Sequence, residues 1–217
     1  MTIKTRYMGL ALSLAAASVL TLTGCGGGGS DTPPAAEAAF NGKFIDDAVG
    51  GVSFSCAGAS GLTAANGSFG TCNAGSTVTF SIGGLVLGSS SATGDGIFFV
   101  TDIVEGASRG DIDNEEVLSI ASLLQSIDTD GDPSNGITVP PEAAQELADL
   151  DVNMSDLSSD EASAITGALA ITLNETYPEI TYVSPADAEA NLAESLERIE
   201  DGTIAPPPAP TGSGGGN

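Results

Sequence analysis

Residues 126 to 140 read SIDTDGDPSNGITVP, which places carboxylates at alternate positions, Asp128, Asp130 and Asp132, and the amide of Asn135 three residues later. Hard oxygen donors spaced this closely are what a divalent ion such as calcium takes, because one turn of chain can fold several of them around a common centre. The same residues suit an ordinary turn, with Gly131, Pro133 and Gly136 bending the chain and the aspartates solvated. Both readings stand on the residue types alone. The rest of the chain narrows the chemistry sharply. It contains no histidine, which removes Ser-His and Cys-His nucleophile pairs, imidazole zinc sites and histidine general acids. Carboxylate catalysis is what remains, yet with 29 acidic residues any two look paired on paper. A glycosidase pair also needs a cleft and a selectively raised pKa. The expectation is a protein that is not an enzyme. The glycine-rich stretches GTCNAG and SIGGLVLG lack a phosphate-loop lysine and lie among strand-like residues. The RGD triplet at Arg109 to Asp111 is a three-residue match beside a helix start, and it carries no weight as a recognition motif.

The elements around the aspartate loop fall into two kinds. Between Phe40 and Val104 the short runs FNGKFI, VSFSC, TVTFSI, LVLG and IFFVTDIV are separated by turn signals at Asn66 to Ser68, Gly50-Gly51 and Gly83-Gly84. In TVTFSI, Val78, Phe80 and Ile82 fall on one face and Thr77, Thr79 and Ser81 on the other, which predicts a half-buried strand of an antiparallel sandwich. From Asp111 onward the period becomes helical. Asp113 is placed to cap a helix carrying Val117, Ile120, Leu124 and Ile127. Pro141 and Glu142 open a second helix with Leu147 and Leu150, and Ser158 with Glu161 forms a capping box for a third. Ser184 and Pro185 open a fourth, whose stripe is Ala188, Leu192, Leu196 and Ile199 before Gly202. The predicted fold class is α+β, a small antiparallel sandwich over 40–104 followed by a short-helix bundle over 105–204. The two should pack together, because the junction between them is short.

The ends set the expected compartment. Lys4 and Arg6 precede an apolar run from Met8 to Leu22 that stops at LTGC, residues 22 to 25. That run is shorter than the roughly 20 residues of a membrane-spanning helix. Residues 1–24 read as a secretory signal. GGGGSDTPPAAEAA at 26–39, with Cys25, reads as a flexible tether, and 205–217 as a disordered tail. Beyond Cys25 only Lys43, Arg109 and Arg198 are basic, against 29 acidic residues. Such a surface repels nucleic acid and anionic headgroups and attracts cations; an acidic, lysine-poor surface also stays soluble in salty water. In an oxidising compartment the two remaining cysteines, Cys56 and Cys72, are expected to close a disulfide of structural type.

Four resemblances add to this. Leu22, Thr23, Gly24 and Cys25 resemble the lipobox of bacterial lipoproteins. This implies a diacylglycerol on the Cys25 sulfur, cleavage before Cys25, palmitate-type acylation and, with Gly26 following, an outer-membrane address. The order GKFIDDAVGGVSFSC, GLTAANGSFGTC, GSTVTFSIGGLVLG resembles the transthyretin-like sandwich of carboxypeptidase-regulatory modules, which implies adhesion, scaffolding or tethering and rarely catalysis. SLLQSIDTDGDPSNGI and VSPADAEANL are similar to motifs of a group of exported proteins of aquatic Gram-negative bacteria, with Asn191 where that group has histidine. The aspartates occupy positions like the first, third and fifth of an EF-hand or dockerin-type loop, but Pro133 and Val139 stand where such a loop has its glycine and its bidentate glutamate. The function expected from all this is a non-enzymatic adhesion or structural module of the cell envelope. It would be held to the membrane by its lipid, with other envelope or surface proteins as partners and no nucleic acid. The alternative is a periplasmic binding or accessory subunit of an envelope transport or glycan-handling system.

Overall fold

The computed structural model describes residues 39–91 and 93–210. The signal segment, Cys25, most of the expected tether and the last seven residues lie outside them.

The fold is α+β, with ten strands and four α-helices among the described residues. Five of the strands fall on the expected runs, β1 Phe40–Ile45, β3 Ser53–Cys56, β6 Thr77–Ile82, β7 Leu85–Ser91 and β8 Ile97–Phe99, while β2 Val49–Gly50, β4 Ala59–Leu62 and β5 Ser68–Cys72 lie outside them. A three-stranded sheet has the order β5-β1-β8, and a larger one runs from β7 through β6 and β3 to β4. Their facing sides meet through rings. Phe44 of β1 stacks on Phe80 of β6 at 4.3 Å between centroids, and Phe69 of β5 meets Phe54, Phe80 and Phe98 at 5.0 to 5.5 Å. Gly42 of β1 makes room for this, since a Cβ there would lie 2.0 Å from the Phe69 ring. Cys56, at the end of β3, is bonded to Cys72, at the end of β5, with Cα atoms 5.8 Å apart. The disulfide therefore joins the two sheets.

The sandwich departs from expectation in two ways. It is not purely antiparallel: β8 runs parallel to β1, pairing Lys43 with Ile97 and Ile45 with Phe99, because the chain changes sheets after β7. The run IFFVTDIV is also not one strand. It turns into a 3-10 helix at Val100–Ile103, because the Asp102 carboxylate accepts from Phe99 N–H at 2.9 Å and stops the ladder there.

Four helices follow: α1 Glu115–Ser126, α2 Pro141–Glu146, α3 Ser159–Asn174 and α4 Pro185–Glu200. The predicted Ser158–Glu161 capping box is present, and Ser184 caps α4 with Pro185 in its first turn. The first cap is Asn114 and not Asp113: the Asn114 carbonyl oxygen accepts from Glu116 and Val117 N–H, and its backbone is extended as a cap requires. The second helix is shorter than expected. It ends at Glu146, and Leu150 beyond it is exposed. Val117, Ile120, Leu124 and Ile127 are fully buried as the period predicts, while Leu196 and Ile199 are only partly covered.

The described residues fall within one compact unit, and the boundary between sandwich and helices is crossed by backbone pairing. A short strand β9, Ile137–Thr138, runs parallel to β2, and β10, Val152–Asn153, runs parallel to β7. The expected tail is not free over its first residues. Lys43 Nζ donates to Ala205 O, and Asn41 Nδ2 to Pro208 O, both at 2.9 Å, so residues 205–210 lie along β1 without regular structure of their own.

Candidate functional site

Helix α1 has a second buried face that carries no apolar stripe. Ser119, Ser122, Gln125 and Ser126 recur at helical spacing and are all buried. Ser126 Oγ accepts from Val183 N–H at 2.8 Å and Ser122 Oγ donates to Val183 O at 2.6 Å, which ties the chain entering α4 onto α1. Gln125 reaches the turn that joins β1 to β2. Its Nε2 donates to both oxygens of Asp46, at 3.1 and 3.2 Å, and Asn191 Nδ2 of α4 donates to its Oε1 at 2.8 Å. Beside them Asp47 accepts from Ala48 N–H and pairs with the Arg198 guanidinium, which also donates to Ser134 O. Sandwich, α1, α4 and the aspartate loop thus meet in one polar seam.

The electrostatics of the seam follow from its burial. Asp46 is 1% exposed; burial pushes its carboxyl group up to about 8, against the opposing Gln125 hydrogen bonds, and the neighbouring Asp47 adds to the rise. Burial thus favours its neutral, protonated form. The gap left between Asp46, Asn191, Ser195 and Arg198 is about 10 Å³, against the roughly 300–1,000 Å³ of a small-molecule site. The seam holds elements together and leaves no room for a substrate.

The aspartate loop follows directly. Asp128 is buried, and its Oδ1 accepts from Thr138 N–H at 2.8 Å. Asp130 is exposed and accepts from Asp132 N–H and from Asn135 Nδ2, at 3.1 and 3.2 Å. The three carboxylates are not gathered around one point. Asp132 turns to Ser134, accepting from its N–H and its hydroxyl. Among the described residues no group of three or more acidic, cysteine or histidine side chains is arranged to hold a metal. Burial pushes Asp128 up to about 6, and Asp130 beside it adds to the rise, whereas Asp130 itself is held low by its hydrogen bonds with Asp128, Asp132 and Asn135.

The other basic residues among those described, Lys43 and Arg109, have structural partners. Arg109 bridges Asp95 and Asp102 and donates to Ile97 O at 2.9 Å. That engagement takes the arginine of the RGD triplet into the fold. Neither a protein-family model nor a curated protein nor a solved structure matches this chain.

Asp46, Asp47 and Arg198 were missed as site residues by sequence reasoning, and Gln125 and Asn191 were noted only within motifs. A signal was available for Arg198, as one of only three basic residues beyond Cys25, against 29 acids. None was available for Asp46 and Asp47, because two adjacent aspartates between strands read as a solvated turn.

Proposed function

We propose that this chain is a lipid-anchored, non-enzymatic module of the cell envelope, carried on the outer membrane through Cys25 and serving adhesion or structural support among envelope or surface proteins. The observation that carries the reading is the seam. Buried polar groups lock a disulfide-joined sandwich to its helices as one body and enclose only about 10 Å³. That is the organisation of a load-bearing or presenting module more than of a turnover site. The lipobox-like LTGC and the transthyretin-like order of the β-rich half support the same reading. No helix among the described residues is long and apolar enough to cross a membrane, so membrane attachment in this proposal rests on the lipid.

A second reading, a periplasmic binding or accessory subunit, is favoured by one feature. An open cleft of about 360 Å³ beside α3 is lined by Ala170, Ile171, Ile180 and Tyr182, and Ile171 is 75% exposed. Labelling and shaving separate the readings. Fatty-acid label should enter the wild type and fail to enter Cys25→Ser, and protease added to intact cells should remove a displayed module. Label in the mutant overturns the anchor; full protection in intact cells favours the inward-facing subunit.

A further inference from the structure

Ordinary turn chemistry leaves one feature of the aspartate loop unexplained. Asp128 Oδ2 is the one buried side-chain oxygen or nitrogen among the described residues that has no hydrogen-bond partner. Buried polar atoms are nearly always satisfied, so such an orphan calls for a ligand or a cost met elsewhere. The carboxyl group of Asp130 lies within hydrogen-bonding reach of Asp128. Two carboxylates cannot donate to one another, and at this range they need a proton or a cation between them. Among the described residues the basic side chains are engaged elsewhere: Arg198 is turned to Asp47 and Ser134 O, Arg109 to Asp95 and Asp102, and Lys43 to Ala205 O.

The frame around the pair is fixed. Thr138 N–H holds Asp128 Oδ1 in place, and Asn135 Nδ2 and Asp132 N–H orient Asp130. Gly131 turns back at φ +68° against the Glu179 carbonyl, which a Cβ would meet at 2.6 Å.

We propose that Asp128 and Asp130 together bind one hard divalent cation of the calcium type, with Asp128 Oδ2 and the Asp130 carboxylate as its charged ligands. Asp132 stands outside the site and braces the turn through Ser134. This differs from the three-carboxylate loop expected from the spacing. Calcium fits better than magnesium because it accepts irregular sets of oxygen ligands, whereas magnesium demands a near-octahedral one. With two carboxylates the affinity falls in the weak range of extracellular modules, on the order of 10⁻⁴ to 10⁻³ M.

The test is thermal melting of the purified full-length chain in chelator, in calcium chloride and in magnesium chloride, at one ionic strength, with calorimetric titration of calcium alone. At about tenfold excess over the dissociation constant, calcium should raise the wild-type Tm by roughly 3–6 °C, with one ion bound per chain and a smaller effect of magnesium. Asp130→Asn changes an exposed side chain and should fold while losing the calcium shift; Asp132→Asn should keep it. Equal melts in calcium and chelator would overturn the proposal, as would an equal response to magnesium or a shift retained in Asp130→Asn. Loss of the shift in Asp132→Asn would overturn the two-carboxylate geometry in favour of a three-carboxylate one.

Discussion

Where the two sheets face each other, Phe44, Phe54, Phe69, Phe80 and Phe98 fill the space and a disulfide joins the rims. Where the sheets face the helices, Asp46, Gln125, Asn191 and Arg198 meet through hydrogen bonds and an ion pair. The first contact is non-directional and holds because apolar area leaves water. The second is directional: its hydrogen bonds require one mutual arrangement, and Asp46 and Gln125, both buried, would be costly to leave unpartnered. Apolar packing supplies the stability of the sandwich, and the seam fixes how the helices are set upon it. The two should therefore respond differently to mutation and to pH.

The largest effect is expected in the sandwich. Phe80→Ala removes a fully buried ring that touches three others, and should cost about 3–5 kcal/mol in denaturant unfolding, by a similar amount at pH 6 and pH 9. Replacing both Cys56 and Cys72 by serine frees a 16-residue separation and should cost about 3 kcal/mol, again without regard to pH. A loss that grew with pH in either variant would break the contrast. In the seam, Gln125→Leu keeps most of the volume but leaves Asp46 without its donors, at about 1–3 kcal/mol.

The smallest effect is the most specific. The folded-state pKa of Asp46, about 8, lies above its ordinary value, so the stability its neutral form contributes is complete below about pH 4 and is lost as pH rises to about 8. The charged groups around it are Asp47, Arg198 and Glu194. Asp46→Asn copies the neutral acid. Urea melts should show little change at pH 6, less than about 1 kcal/mol, and a flatter profile than the wild type between pH 6 and 8. An equally steep profile in both chains would show that Asp46 does not titrate there.

The sandwich was the more legible half. Alternation in TVTFSI gave a strand with the predicted ends, because a sheet with one buried face writes its period directly into the sequence. The Val117–Ile127 stripe gave α1 for the same reason. The choice of Asn114 over Asp113 was beyond reach, since both residues can cap and the backbone decides. So were β9 and β10, two residues each, whose pairing with β2 and β7 depends on tertiary approach and not on any local pattern. The seam was hidden by its chemistry. Buried serines and a glutamine on the second face of α1 look like solvent residues, and only the fold reveals that they face protein.

The strap of residues 205–210 along β1 brings the first and last described segments of the chain side by side, with Asn41 bonded to Pro208 and Lys43 to Ala205. A chain arranged in this way can be cut and resewn. Joining Pro210 to Ala39 through a short flexible linker and opening new ends in an exposed loop should give a circular permutant that keeps the same core. It also means that a domain fused directly after Pro210 would stand close to β1, beside Asn41.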